Sequence, residues 1–208
     1  TILVLIMLLL LATWFLLKQP TNDRDWAIDQ QKLSYAEIDG SLIAIKNIRN
    51  INYRTTTDFD LNYYDKTFDL DKIQTVDYLV EPFEDWRGPA HTLLTFGFEN
   101  DQYISISVEI RKEKGEEFSP LKGLLREYEL MYVIADEKDV IKLRTNYRKD
   151  DVYLYPIKAP KQKLQALFLD MINRTNDLKE KPEFYNTLTS TCTTNIVDHV
   201  NKIASSPI

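Results

Sequence analysis

Two β-rich runs separated by a short polar segment constrain the fold of this chain more than any other feature. The runs are HTLLTFGF and QYISISVEIR, and Glu99 to Asp101 lie between them. This pattern predicts a β-hairpin. In the second run Ser105, Ser107 and Glu109 alternate with isoleucine and valine, so one face of the strand is apolar and the other is polar. We therefore expect an antiparallel sheet with a polar face near His91.

Further segments predict strands and helices that pack on this sheet. Residues 41–49 and 152–155 have the composition of strands. Residues 161–178 place their apolar side chains on one helical stripe, and residues 195–203 form a second amphipathic helix after a run of serine and threonine, which are favoured helix caps. The sequence thus predicts an α+β fold in which an antiparallel sheet packs against helices.

The size and charge of the chain limit its organisation and its partners. A length of 208 residues fits one domain with a full core. We expect an N-terminal anchor at residues 1–18, a connector at 19–40 and one folded domain at 41–208. The net charge of −6 argues against a nucleic-acid partner. No metal-ligand spacing and no glycine-rich phosphate loop is visible, so we expect no cofactor.

The first 17 residues are apolar and uncharged. As a helix they would extend roughly 25 Å, a little short of a hydrocarbon core about 30 Å thick. A cleaved signal peptide is the alternative, but no small-residue cleavage pattern precedes Lys18, Pro20 and Asp23. We therefore expect an uncleaved transmembrane anchor. Because the chain starts at Thr1 instead of Met, we also expect a longer protein upstream.

Cys192 is the only cysteine in the chain and lies in the run NTLTSTCTTN, at the start of the last predicted helix. Unpaired N–H groups and the positive end of the helix dipole favour a thiolate there, which makes the sulfur nucleophilic. The same N–H groups could stabilise a tetrahedral oxyanion. A lone cysteine is more often a small buried side chain, but the position at a helix start favours a nucleophile.

A thiolate nucleophile needs a base within hydrogen-bonding reach. The chain offers two histidines. His91 begins the first strand of the hairpin, whereas His199 follows Cys192 by seven residues on the same helix. Two helical turns separate that pair by roughly 10 Å, which is too far for direct proton transfer. We predict that His91 is the base and that His199 is a half-exposed helix residue.

A third group is expected to orient the imidazole. If the hairpin turns at its polar segment, Glu109 lies nearly opposite His91 and could accept a hydrogen bond from the second ring nitrogen. A one-residue error in register would exchange the faces of the strand. Ser107 is therefore a substitute candidate, and a solvated Glu109 paired with Arg111 or Lys112 is an equal alternative.

Two groups of charged residues are predicted to lie at the surface. The run RKEKGEE, residues 111–117, has the composition of a solvated loop. Arg144, Arg148 and Lys149 are followed by two aspartates, which predicts an exposed and locally neutralised face.

Four stretches carry a more specific pattern. They are IRNINYRTTTDF, PFEDWRGPAHTLLTFGF, the run that begins ISVEIRKEKGEEF and ends YRKDDVYLYP, and PEFYNTLTSTCTTNIVDHVN. In combination, over about residues 48–201, they resemble the bacterial family named for the Lnb N-terminal periplasmic domain. The order of a strand histidine before a helix cysteine is also similar to circularly permuted NlpC and papain-like folds, among them the lecithin retinol acyltransferase group.

This resemblance implies a lipoprotein N-acyltransferase of the bacterial inner membrane, with its catalytic domain at residues 41–208 in the periplasm. Cys192 would take an acyl chain from a phospholipid as a thioester, with His91 as the base. It would then pass the chain to the amino group of a diacylglyceryl-cysteine lipoprotein. The phospholipid donor and the lipoprotein acceptor are the implied partners, and no cofactor is implied. A shared fold does not dictate the acceptor.

Two other functions remain open at this point. A cysteine peptidase or amidase of the cell wall would use the same Cys192 and His91 with water as the final acceptor. A polar open cleft would favour it, whereas an apolar groove would favour acyl chains. A catalytically silent interaction domain is the third possibility, and it predicts a buried Cys192 with His91 out of reach.

Overall fold

A computed structural model of the chain describes residues 2–83 and 89–204. Thr1 of the expected anchor, residues 84–88 within the second family stretch, and residues 205–208 at the end of the expected domain lie outside the described residues. Among the described residues most strands come first along the chain and the longest helices of the domain come last, which agrees with the α+β class predicted from the sequence.

Ten strands occur in the described part of the chain: β1 (Tyr35–Asp39), β2 (Leu42–Arg49), β3 (Asn52–Tyr53), β4 (Phe59–Asp60), β5 (Tyr63–Asp69), β6 (Ile73–Pro82), β7 (Ala90–Phe98), β8 (Gln102–Arg111), β9 (Glu129–Ala135) and β10 (Tyr153–Pro156). The α-helices there are α1 (Ile2–Leu17), α2 (Pro120–Leu124), α3 (Glu137–Lys142), α4 (Lys161–Glu180) and α5 (Cys192–Ile203). A π-helical turn, Leu143–Arg148, continues α3.

Eight of these strands form one sheet in the order β1-β2-β9-β8-β7-β6-β10, with β5 on the other edge of β2. The sheet is mixed, because β2 and β9 pair in parallel at Arg49 and Ala135 while the other pairs are antiparallel. The expectation of a wholly antiparallel sheet was therefore wrong. A long crossover, residues 50–128, joins β2 to β9, and crossovers of this length permit parallel pairing.

The predicted hairpin is present as β7 and β8. Its register runs from Leu93 opposite Ser107 to Phe98 opposite Gln102. The turn between the strands holds Asn100 and Asp101 at φ values of 60° and 53°. Positive φ at two successive residues matches the twist of the flanking strands, and asparagine and aspartate tolerate it better than most residues.

Helices α4 and α5 pack against the sheet, as the sequence predicts. The apolar stripe of α4 is buried at Leu164, Leu167, Phe168, Met171 and Ile172. Phe168 meets the ring of Phe96 on β7 edge-on, with the ring centroids 5.0 Å apart. Burying one such side chain stabilises the fold by about 1.5–3 kcal/mol. Because side chains alternate along a strand, His91, Ser107 and Glu109 lie on the opposite face of the sheet from this packing.

The N-terminal helix α1 covers 16 residues. Within the described ranges, no helix combines the length and the hydropathy that a membrane span requires. The expected anchor therefore stays a prediction. The last turn of α1 is held to the domain by Arg126, which donates to the Phe15 carbonyl oxygen at 3.0 Å, and by an ion pair of 3.0 Å between Lys18 and Glu127.

The run at residues 111–117 is not wholly solvated, because Arg111 is buried. Its guanidinium lies 4.1 Å from the ring centre of Trp26 and donates to the carbonyl oxygens of Gln30 and Gln31. The connector therefore supplies the partners that allow this charge to be buried, and the predicted solvation of Arg111 was wrong.

Candidate functional site

Cys192 is the first residue of α5, as predicted from the cap-forming run before it. Thr191 is the N-cap and forms a capping box with Thr194: each side chain accepts a hydrogen bond from the backbone N–H of the other residue. The N–H of Asn195 donates to the Thr191 carbonyl oxygen at 3.1 Å. The first N–H groups of a helix have no intrahelical acceptor, and among the described residues none accepts from those of Cys192 and Thr193, so both can donate to a ligand.

The N-terminus of α5 lies against the start of β7. The hydroxyl oxygens of Thr92 and Thr193 are 3.3 Å apart. The sulfur of Cys192 lies 3.8 Å from the carbonyl oxygen of Ala90, the residue before His91. The thiol is only partly buried, and the imidazole of His91 is near enough to lower its pKa. The structure thus brings the predicted nucleophile and the predicted base together.

The other side of the His91 ring faces the polar face of β8. His91 Nε2 lies 2.8 Å from Ser107 Oγ and 3.2 Å from Glu109 Oε1. Ser107 in turn donates to Glu109 at 2.7 Å. The hairpin register makes these contacts possible, since continuing the pairs at Leu93 and Ser107 sets His91 opposite Glu109. Both residues considered as the third group contact the imidazole, and Ser107 also links it to the carboxylate.

Burial and charge perturb the pKa values of these groups in a consistent direction. Burial raises the pKa of the Cys192 thiol, but the hydrogen bond and charge of His91 and hydrogen bonds from Thr92 outweigh it and lower that pKa to about 7. Burial lowers the pKa of His91, but the charge of Glu109 and the hydrogen bond with Cys192 raise it to about 9. Between these values the favoured state is a thiolate–imidazolium pair.

Glu109 stays ionised in this site. Burial acts to raise its pKa, but the charge and hydrogen bond of His91, the charge of Arg144 and the hydrogen bond from Ser107 hold the pKa well below its usual range. The side chain is about a quarter exposed (24%). The alternative in which Glu109 is a solvated partner of Arg111 or Lys112 does not match these contacts.

Arg144 belongs to this site, although the sequence analysis placed it on an exposed face. It is buried in the π-helical turn after α3 and forms ion pairs with Glu81 at 2.6 Å and with Glu109 at 3.0 Å. Glu81 lies opposite His91 on the neighbouring strand β6. One signal could have revealed it: Arg144 follows the buried Val140 by four residues, which puts both on one helical face.

His199 lies outside this group, as expected, but it is buried and not half-exposed. Its Nε2 is 2.7 Å from the Tyr132 hydroxyl and its Nδ1 is 2.5 Å from Asp170. Tyr132 also contacts the side-chain oxygen of Asn195 at 3.2 Å. The prediction of exposure failed because His199 follows the buried Ile196 by three residues, so both point to the sheet.

In the part of the chain that the structure describes, no three His, Cys, Asp or Glu side chains are grouped as metal ligands would be.

The comparisons with known proteins give one match. The family model for the Lnb N-terminal periplasmic domain matches residues 60–207, which include His91, Ser107, Glu109, Arg144 and Cys192. Neither the curated proteins nor the solved structures gave a significant match.

Proposed function

Since this chain belongs to the Lnb N-terminal periplasmic domain family, we propose that it is a cysteine-dependent lipoprotein N-acyltransferase. The family is that of a periplasmic domain, which supports a location of this chain in the periplasm. In the proposed reaction, an acyl chain moves from a phospholipid to Cys192 and then to the amino group of a diacylglyceryl-cysteine lipoprotein. We further propose that the domain works at the inner membrane, with α1 at its membrane end.

One observation carries the proposal. A partly exposed Cys192 begins a helix beside His91, and His91 is held from its other side by Ser107 and Glu109. A silent domain would need neither a thiol of lowered pKa nor a base within reach of it. The arrangement has the parts that covalent acyl transfer requires: an activated nucleophile, a base, a group that orients the base, and free N–H donors.

The first half of the reaction forms the thioester. The Cys192 thiolate attacks the ester carbonyl carbon of the phospholipid, and the N–H groups of Cys192 and Thr193 bind the tetrahedral oxyanion. The ester C–O bond then breaks, and the His91 imidazolium gives its proton to the departing glycerol oxygen. The products are a lysophospholipid and an acyl chain bound to Cys192, with His91 left neutral.

The second half transfers the chain to nitrogen. The acceptor ammonium first loses one proton to water, and neutral His91 takes a second proton from the resulting amine as its nitrogen adds to the thioester carbonyl carbon. The carbon–sulfur bond breaks, an amide forms, and Cys192 leaves as a thiolate beside the reprotonated His91. The low pKa of the thiol favours this departure, because a weaker base is a better leaving group.

Ser107, Glu109 and Arg144 position the base. His91 Nε2 is engaged by Ser107 and Glu109, which leaves Nδ1 for the thiol. Ionised Glu109 stabilises the imidazolium, as the carboxylate of other triads does. Arg144 bridges Glu109 and Glu81, so it fixes the carboxylate in place and prevents an uncompensated buried charge.

A cysteine peptidase or amidase of the cell wall is the competing function, because water could replace the amine in the second half. The deciding experiment incubates the protein with phospholipid and a model diacylglyceryl lipopeptide, and in parallel with a peptidoglycan peptide. The proposal predicts that the wild-type protein adds the mass of one acyl chain to the lipopeptide amine, and that Cys192→Ala and Cys192→Ser add none. An unchanged lipopeptide together with a cleaved peptidoglycan peptide would establish the hydrolase instead.

A further inference from the structure

Four large apolar side chains are exposed on or beside α2 and on the turn that precedes α5, two segments that contact each other. They are Phe118 at 48%, Leu121 at 63%, Leu125 at 43% and Leu188 at 73% exposure. The first three lie on and beside α2, and Leu188 lies in the turn from Asn186 to Ser190 that precedes α5. We call these four residues the apolar rim. Single exposed apolar side chains are common on protein surfaces, but a group of them indicates an interaction surface.

Direct contacts join α2 to that turn. The Thr187 hydroxyl donates to the Pro120 carbonyl oxygen at 2.8 Å. Gly123 allows the close approach, since a Cβ there would collide with Thr187 Oγ1 and press on the Tyr185 ring. The turn is closed by the Ser190 N–H donating to the Asn186 carbonyl oxygen at 2.9 Å. Leu188 therefore projects from a fixed turn only four residues before Cys192.

The rim is continuous with the end of α1. Arg126, one residue beyond Leu125, binds the Phe15 carbonyl oxygen, and its guanidinium lies 4.3 Å from the Phe15 ring centre and 5.7 Å from that of Phe184. Helix α1 exposes apolar side chains on every side, since four consecutive residues, 4–7, are all exposed. A helix that is apolar all round needs apolar surroundings. The apolar rim lies next to the end of α1, so the same apolar surroundings would reach both.

We infer that the apolar rim docks on the hydrocarbon surface of a lipid bilayer and holds Cys192 at the depth of the acyl ester bonds. The inference rests on the proposed function for the identity of the lipid as acyl donor. Continuity with α1 favours a lipid surface over a protein partner, because one bilayer would cover both apolar surfaces. The site would then reach its donor without lifting the whole phospholipid into water.

The charges near the rim predict how the docking works. Lys122 pairs with Glu116 at 3.6 Å and Lys18 pairs with Glu127 at 3.0 Å, and the chain as a whole carries a net charge of −6. Attraction to anionic headgroups requires clustered unpaired cations. Docking is therefore expected to depend on apolar burial, to occur on zwitterionic phosphatidylcholine, and to resist salt.

The test uses the single cysteine of the chain. In a Cys192→Ala background, Leu188→Cys and Leu121→Cys each receive an environment-sensitive fluorophore, and Leu42→Cys is the matched control. Leu42 is 47% exposed and lies in the β1–β2 hairpin. The full chain is reconstituted in phosphatidylcholine vesicles that contain lipid with a nitroxide high on the acyl chain. Labels at Leu188 and Leu121 should be quenched and blue-shifted, while the label at Leu42 should behave as in water.

Equal, water-like behaviour of all three labels would overturn the inference. Labels at the rim that are already shielded without vesicles, to a degree that depends on protein concentration, would show that a second copy covers the rim instead. This measurement needs no turnover, so it separates the docking from the proposed function. Quenched labels together with no acyl transfer by the wild-type protein would keep the docking and reject the reaction. Acyl transfer by the wild-type protein together with water-exposed labels would do the reverse.

An activity measurement adds a second check. Leu188→Asp should slow acyl transfer from vesicles by about tenfold or more, the factor expected when the burial of one leucine is lost. Leu42→Asp should leave it unchanged. Alkylation of Cys192 by a small water-soluble reagent should be the same in both variants, which shows that the site itself is intact. Equal transfer rates from vesicles in the two variants would contradict the inference.

Discussion

Two histidines contact hydroxyl and carboxylate groups around α5, and they acquire opposite properties. His91, on β7 near the N-terminus of α5, contacts Ser107 and Glu109, and its pKa is raised to about 9 by the charge of Glu109 and by the nearby Cys192 thiol. His199, on α5 itself, lies 2.5 Å from Asp170, yet its pKa is lowered. A nearby carboxylate alone therefore does not decide the charge of a buried imidazole.

The remaining neighbours explain the difference. Burial lowers the pKa of His199, and although Asp170 raises it, the charges of Lys202 and Arg174 lower it again. Lys202 also binds Asp170 directly at 3.0 Å. At His91 the ionised Glu109 and the thiol both favour the imidazolium, and the charge of Arg144 only partly opposes them. His91 is therefore protonated at neutral pH, as the proposed reaction requires, whereas His199 is neutral and forms structural hydrogen bonds.

The largest expected effect is on acyl transfer. His91→Gln should reduce its rate by about 10²- to 10⁴-fold, the usual contribution of a general acid–base. His199→Gln should change the rate by less than about tenfold, because that ring does not touch the reacting atoms. Initial rates with a model lipopeptide measure both. Similar losses in the two variants would mean that the two clusters do not differ in role.

The next effect is on the thiol itself. The alkylation rate of Cys192 should reach half its maximum near pH 7 in the wild-type protein, because the pKa of the thiol is lowered to about 7. In His91→Gln the thiol stays buried but loses the imidazole that lowers its pKa. The pKa of the thiol should therefore rise, and alkylation at pH 7 should fall by more than about tenfold. The profile of His199→Gln should match the wild type. An unshifted profile in His91→Gln would show that the imidazole does not activate the thiol.

A smaller effect is expected from the carboxylates. Glu109→Gln removes the largest cause that raises the pKa of His91, so the imidazolium should lose its proton at lower pH. The pH above which the rate of acyl transfer declines should then be lower, and the rate at pH 8 should fall by roughly tenfold. Asp170→Asn serves as the matched change in the other cluster and should leave the pH profile in place. A Glu109→Gln profile identical to wild type would exclude Glu109 as the group that stabilises the imidazolium.

The smallest effect concerns stability. Because the pKa of His199 is lower in the folded state than in the unfolded chain, the unfolded chain binds a proton more readily as pH falls below about 6.5. The wild-type protein should therefore lose stability on acidification, and His199→Gln should lose less. At neutral pH the variant should be about 1–2 kcal/mol less stable, since the buried hydrogen bonds of the imidazole with Tyr132 and Asp170 are lost. Denaturant unfolding near pH 7.5 and near pH 5.5 gives both values, and an equal acid sensitivity would contradict this account.

Local patterns predicted much of the candidate site. The alternation of β8 and the polar turn fixed the register that brings His91 to Ser107 and Glu109, and the threonine cap fixed Cys192 at a helix start. All of these signals lie within a few residues of the group that they position. The family resemblance added the expected chemistry, and the fold class followed from the periodicity of strands and helices.

Other features depend on partners far along the chain. Arg144 is buried because Glu81 and Glu109 compensate its charge, and these carboxylates lie 63 and 35 residues before it in the chain. His199 is buried through Asp170 and Tyr132, and β2 pairs with β9 across a long crossover. A composition pattern cannot reveal that a distant carboxylate will compensate a charge. Sequence reasoning therefore placed charged residues at the surface, where isolated charges are stable.

The most direct test of the central claim is the mass of the intact protein after incubation with phospholipid and no acceptor. The account predicts one added acyl chain on the wild-type protein, released by hydroxylamine as a thioester is, and none on Cys192→Ala. It also predicts much slower addition in His91→Gln and near-normal addition in His199→Gln. If the wild-type protein gains no acyl chain, or if Cys192→Ala gains one as well, Cys192 is not the acyl carrier and the proposed mechanism is wrong.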